Sequence, residues 1–244
     1  MYNIIKNEVI VLNKEEKTKR LNKIITWIVF SSLVISAIYA IFKLIYADPG
    51  GIADIPHEKL KSDYTLMLIQ CILGIVLMFF PDLLTKHFKI TIPNKMYIMF
   101  IMFLYAAIVL GEVRNFYYIF PHWDTILHMF SGGMLGAVGF SVVDILNENK
   151  NISIHLTPKF VAIFAFCFAL ALGSIWEIYE FTGDSLLGLN MQKYALEDGT
   201  KLIGQQALAD TMGDLIVDAV GALTVTLIGY STIRKKKEET IAKG

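Results

Sequence analysis

Charge is what this sequence has least of. Asp, Glu, Lys and Arg make up 18% of its 244 residues, against about 25% in an ordinary soluble domain. Nor does one sign dominate: 22 basic residues balance 22 acidic ones. That removes an overall basic field, and with it the case for a nucleic-acid partner. Cysteine is nearly absent. Cys71 and Cys167 both lie in apolar runs, neither at metal-ligand spacing, so a disulfide framework is excluded and small packing residues are expected. Repeats and low-complexity tracts are lacking too. A cleavable signal is not expected either, because the first apolar run begins near Ile24 behind a polar leader and is long enough to stay as a span.

What is present is apolar: 55% of the residues are hydrophobic and the mean hydropathy is +0.54. A membrane span needs about 20 mostly apolar residues, and six candidates appear at roughly 24–46, 64–80, 96–113, 124–146, 160–182 and 208–231. The second is short and is expected to stop at Pro81. The expected fold is therefore all-α, a polytopic helix bundle in one integral membrane domain with the lipid bilayer as its partner. Lys and Arg orient it. With both termini on one side, that side holds sixteen and the opposite loops hold five, which puts both termini in the cytoplasm.

Acidic residues recur at helical spacing in the last three spans. Asp124 and His128 are four apart; Glu177, Glu180 and Asp184 are three and four apart; Asp210, Asp214 and Asp218 are four apart each time. Each set lies on one helix face. In the expected topology all three fall in the outer half of the bundle, with Asp218 about 12 Å deeper than Asp210. Small residues continue the same faces: Gly132 and Gly136 after His128, Gly173 and Ala169 before Glu177, Gly221 and Ala222 after Asp218. Small residues let membrane helices approach closely, so spans four to six are expected to meet along their acidic faces, with spans one to three as scaffold.

Part of this pattern has a plain explanation. Asp124 and Asp210 stand where helix N-caps are expected, and capping explains them as readily as a site does. Asp184 reads equally as a solvated loop residue. Glu112 and Asp144 lie near span ends and read as interfacial, with Arg114 a candidate partner for Glu112. The others resist such readings. Glu177 and Glu180 approach a helix C-terminus, where the dipole disfavours negative charge, and His128, Asp214 and Asp218 lie inside their spans. A carboxylate in hydrocarbon costs roughly 2.5–3.5 kcal/mol on insertion scales, so such groups usually face an interior.

Carboxylates this close cannot all ionise without protons, a basic side chain or a bound cation. Basic residues on the outer side are few, chiefly Arg114, Lys193 and Lys201. One imidazole among carboxylates is a ligand set for Mg²⁺, Mn²⁺, Ca²⁺ or Zn²⁺. The candidate cation or proton site is Asp124, His128, Glu177, Glu180, Asp210 and Asp214, with Asp184, Asp218 and Thr211 as further polar groups around it. The segment 183–207 reads as a lid over the opening or as a plain connector, with Gln205 and Gln206 placed to reach the cluster.

The runs WDTILHMFSGG (123–133), ALALGSIWEIYEF (169–181) and QALADTMGDLIVDAVGAL (206–223) resemble those of the YjdF-like bacterial inner-membrane proteins. That family shows D-x3-H, then E-x2-E, then D-T-x2-D before a small-residue span. Asp124 and His128 match the first motif, Glu177 and Glu180 the second, and Asp210, Thr211 and Asp214 the third. The likeness covers roughly residues 96–231 and implies an integral protein of the bacterial cytoplasmic membrane, with no activity attached. A looser likeness in layout links these spans to VanZ-like membrane proteins.

Three function classes are open. In the first, a cation held by Asp124, His128, Asp210 and Asp214 assists chemistry on a lipid or lipid-linked substrate, with Glu177 or Glu180 as general base. In the second, the carboxylates relay protons or cations in a transporter. In the third, the polar cluster only specifies helix packing.

Overall fold

The computed structural model describes residues 2–46, 59, 61–88, 92–148, 156–196 and 200–243. Helices make up nearly all of it: α1 (Tyr2–Tyr46), α2 (Lys61–Met78), α3 (Phe80–Phe88), α4 (Asn94–Leu104), α5 (Phe116–Ile119), α6 (Trp123–Glu148), α7 (Pro158–Leu187) and α8 (Gln205–Lys243). A π-helical stretch, Tyr105–Val113, continues α4. Among the described residues the only extended pairing is an isolated bridge between Ala195 and Lys201.

Six segments are long and apolar enough to cross a membrane: Glu16–Tyr46, Lys61–His87, Asn94–Val113, Trp123–Asp144, Pro158–Leu187 and Gln205–Thr240. They coincide with the six spans read from hydropathy, and most run further because polar turns at their ends remain helical. Their outer faces stay apolar; Ile38, Ile178 and Ile216 are each about three-fifths exposed, as a lipid-facing surface requires. Helix α2 ends at Met78, close to the stop expected at Pro81, although the apolar segment runs on through α3 to His87. The break falls at Phe79, and Pro81 sits in the first turn of α3, where its missing N–H removes no helix hydrogen bond.

The chain forms two compact units, one holding α1 to α4 and the other α6 to α8. In the first, Val29, Leu33, Met67, Cys71, Ile101 and Leu104 build an apolar core. Glu112 is not interfacial and does not pair with Arg114. It is buried in the π-helical stretch, and its partner is Lys59, whose ammonium donates to Oε1 at 3.1 Å and to the Glu112 carbonyl. A carboxylate taken this far from water needs such a cation.

The second unit is built on stripes with a four-residue period. On α7 the buried positions are Val161, Ala165, Ala169, Gly173, Glu177, Glu180 and Asp184, a single face. Thr157 caps its start by accepting from the Phe160 N–H, and Gly188 (φ 64°) ends it by donating to the Asp184 carbonyl. The positive φ there favours glycine. Helix α7 thus outruns the expected span by five residues, and Asp184 lies in its last turn.

On α8 the stripe is Asp214, Asp218, Ala222 and Thr226; on α6 it includes His128, Gly132, Gly136 and Gly139. Close approach explains the small residues. Gly221 lies against the Met129 carbonyl, Gly132 against the Asp218 backbone, Gly136 against Ala222 and Thr226, and Gly139 against Ala165. These contacts set a steric test. A Cβ on Gly221 would collide with the Met129 carbonyl, whereas Gly213 has nothing within 4 Å of its Cβ position. Gly221→Ala should lower stability by about 1–3 kcal/mol, while Gly213→Ala should be neutral or stabilising by up to about 1 kcal/mol. Thermal unfolding of the detergent-solubilised protein reads both.

Candidate metal centre

His128, one turn inside α6, is the hub. Its ring is 7% exposed, and both nitrogens face carboxylates. Nδ1 lies 3.4 Å from Asp218 Oδ2, while Nε2 lies 3.7 Å from Asp124 Oδ1 and 3.8 Å from Asp214 Oδ2. The first separation is a hydrogen bond and the other two are too long to be one. Two ligands of a single ion bound at about 2.0–2.5 Å stand roughly 3–4 Å apart, which is the spacing seen around Nε2. Asp124, His128 and Asp214 each offer a ligand atom, all within 4.8 Å of one another.

Asp218 supplies the support. Its Oδ2 holds Nδ1 and its Oδ1 accepts from Ser131 Oγ at 3.1 Å. A carboxylate on Nδ1 favours a proton there, and in that tautomer the Nε2 lone pair would face the gap between Asp124 and Asp214. Asp218 therefore orients the His128 ring from the side away from Asp124 and Asp214.

The two glutamates of α7 are buried differently. Glu180 accepts from Trp176 Nε1 at 3.0 Å. Glu177 is 5% exposed, and both its carboxylate oxygens are buried without a hydrogen-bond partner. His128, Asp210, Asp218 and Asp124 are its electrostatic neighbours. An acceptor stripped of water and left unpaired costs about 1–3 kcal/mol, more when charged, so a proton or a cation is the natural complement.

Several plain readings of the acidic residues fail. Asp210 is not an N-cap: α8 begins at Gln205, so Asp210 lies in its second turn. Asp124 is not the cap residue either, but it lies in the first turn of α6, where the helix dipole favours a carboxylate as expected. Asp184 is not solvated. Its Oδ1 accepts from the Met191 N–H at 2.7 Å and its Oδ2 from the Gln192 N–H at 3.0 Å. Asp184 thus ties the connecting segment down and stands apart from the ligand set. Gln205 and Gln206 are exposed. The glutamine that reaches back is Gln192, whose Nε2 donates to Thr211 Oγ1 at 2.8 Å.

The segment after α7 is folded in its own right. Asn190 brackets Ala195, donating to its carbonyl at 2.8 Å and accepting from its N–H at 3.0 Å. Two backbone bonds, Leu196 N–H to the Thr200 carbonyl and Leu202 N–H to the Tyr194 carbonyl, turn the chain back. This strap delivers Lys193, whose ammonium donates to Asp124 Oδ2 and, at 3.0 Å, to Asp210 Oδ1. Burial opposes the charge on Lys193, but the Asp124 and Asp210 carboxylates outweigh it and hold the ammonium above the ordinary lysine range. Sequence reasoning counted Lys193 among the scarce outer basic residues without placing it in the cluster; no periodicity reports where a loop residue lands. Ser131 was missed too, although it stands three residues after His128 on the same helix.

Removing the Asp184 carboxylate would orphan two backbone N–H groups. Asp184→Ala should therefore cost about 1–3 kcal/mol, and the Met191 and Gln192 amides should exchange with deuterium faster than in the wild type.

A family model described as predicted membrane proteins, DUF2238, matches residues 57–235. An uncharacterized protein of Thermotoga maritima is 31% identical over 146 residues, 59% of this chain and 65% of that relative. The chain thus spans just under two thirds of the relative's length. No solved structure matches. Since the family model runs from before α2 through α6, α7 and most of α8, the chain belongs to the DUF2238 family of predicted membrane proteins.

Proposed function

We propose that this integral membrane protein binds a divalent cation between Asp124, His128 and Asp214 and uses it in chemistry on a lipid or lipid-linked substrate. The observation that carries the reading is the divided role of His128: Asp218 holds Nδ1, and Nε2 faces two carboxylate oxygens at non-bonding distance. One nitrogen and two oxygens suit Mn²⁺ or Zn²⁺, while softer metals prefer sulfur. Such an ion lowers the pKa of bound water. Glu177, unpaired and buried beside the centre, is then the base that takes the water's proton, and Glu180 is the weaker candidate because Trp176 already engages it.

The positive-inside count supports both termini in the cytoplasm, and in that orientation the centre would lie near the outer face of a bacterial cytoplasmic membrane. The YjdF-like likeness supports the choice of residues and supplies no activity. Transport is the less favoured reading. Beyond His128 and Asp218 the helices meet at Gly133, Gly136, Gly139 and Gly221 with no room for an added methyl at several of these contacts, which argues against a polar path through the other half of the bundle.

Metal analysis of the purified chain tests the proposal. Wild type should carry Mn²⁺ or Zn²⁺, Asp214→Asn and His128→Ala should lose most of it, and Glu177→Gln should keep it. With a total-lipid extract as substrate pool, mass spectrometry should show products with wild type and a loss of about 10²-fold or more with Glu177→Gln. A wild type without metal in any preparation would overturn the reading.

A further inference from the structure

Lys193 has the environment of a bound cation more than that of a surface lysine. Its ammonium sits between Asp124 Oδ2 and Asp210 Oδ1. The other oxygen of the same Asp124 carboxylate faces His128 Nε2. One carboxylate thus has a positive charge on one oxygen and the candidate ion position on the other, the arrangement of a carboxylate bridging two metal ions about 3.5–4 Å apart. We infer that the Lys193 ammonium occupies a second cation position, and that a divalent ion displacing it converts the centre into a dinuclear one bridged by Asp124. The inference rests on the cation-centre reading above.

Three further observations support it. Unused ligand capacity is present: Asp210 Oδ2 is buried without a partner, and Glu177, the base of the reading above, lies within electrostatic reach of it with both oxygens unpartnered. An ammonium has three N–H donors and engages one oxygen of each aspartate, whereas Ca²⁺, Mn²⁺ or Mg²⁺ takes up six or more oxygens. Next, Lys193 adopts a left-handed backbone (φ 45°), where glycine or asparagine fits with less strain. Its N–H donates to the Asn190 carbonyl at 3.3 Å, so a backbone turn holds it there whether or not its ammonium is engaged. Finally, the strap does not depend on Lys193. Asp184, Gln192 and Asn190 anchor it separately, so the ammonium can withdraw while the segment stays folded.

The cluster's charge gives the displacement its direction. Asp124, Asp210, Asp214, Asp218, Glu177 and Glu180 surround His128, with Lys193 as their cation. Taking the ammonium away without a replacement would leave Asp124 and Asp210 unpaired and partly desolvated, so withdrawal of Lys193 and entry of an ion are linked events.

Mn²⁺ binding to the full chain in detergent, counted by elemental analysis and read by electron paramagnetic resonance, tests this. Wild type should bind about one ion tightly and a second about tenfold or more weakly. In Lys193→Met the second ion should bind at least about tenfold tighter and give an exchange-coupled signal. Lys193→Arg should behave as wild type, and Lys193→Met combined with Asp210→Asn should return to about one ion. If Lys193→Met binds its second ion no tighter than wild type, the inference falls. Should wild type bind none while Lys193→Met binds about one ion that Asp210→Asn abolishes, the lysine's role stands and the mononuclear centre falls. No ion in either overturns both. If Lys193→Met does not fold, the wild type decides: its weak second ion must couple magnetically to the first, and an uncoupled second ion overturns the inference.

Discussion

Asp218 is where the three helices of the second unit meet, and the geometry of the candidate site depends on it. Its backbone lies against Gly132 of α6, its carboxylate oxygen stands where a Cβ on Gly173 of α7 would come within 2.6 Å, and its own helix is α8. The same carboxylate holds His128 and Ser131. At 2% exposure it has no water to lean on, so these contacts form its solvation. The glycines are therefore more than spacers. They let a charged side chain be solvated by neighbouring helices, and that fixes the imidazole on which the cluster is centred.

Excess negative charge is the second constraint. A buried carboxylate near others must share a proton, meet a base or bind an ion. Each of the two units contains a version of this problem. In the first, Glu112 is matched one to one by Lys59, and that solution is complete. In the second, six carboxylates have one lysine and one imidazole among them, and three of their oxygens remain without partners. The contrast separates a structural ion pair from a site that is still chemically open. It also weakens the packing-only reading, since packing alone would be served by a matched pair.

The fold was legible because hydropathy acts over whole spans, where single errors average out. The candidate cluster was legible for a related reason: a four-residue period places Glu177 with Gly173 and Asp214 with Asp218 on one face whatever the exact helix ends. Helix ends were the weak point. Reading α8 from its apolar run put its start near 208 and made Asp210 a cap, whereas the polar residues from Gln205 onward are already helical. The same bias cut α7 short and sent Asp184 into solvent. Pro81 marked the break between α2 and α3 but not the end of the apolar segment, because in the first turn of α3 its missing N–H is not needed. Lys193 was out of reach. Its position follows from a left-handed residue, an Asn190 bracket and two bonds to Asp184, none of which has a periodic signature.

The choice between chemistry and passage turns on where the polar groups stop. Along α8 the stripe runs from Asp210 through Asp214 to Asp218 and then becomes Ala222 and Thr226, whose hydroxyl bonds back to its own helix at the Ala222 carbonyl. Along α7 it runs from Asp184 through Glu180 to Glu177 and then becomes Gly173, Ala169 and Ala165. Charge on α8 ends at Asp218, whose carboxylate meets Gly173 one turn past Glu177 on α7, and beyond that level α6 closes through glycines. A permeation path needs polar groups or water continuing past that level. A reaction site needs access from one side and a dry floor. Trp176 marks a side from which access is possible: its indole is about a third exposed on the outer face of α7, while its Nε1 reaches in to Glu180. On the proposed reading, a substrate carried in the bilayer would meet that indole first, with Glu180 directly behind it.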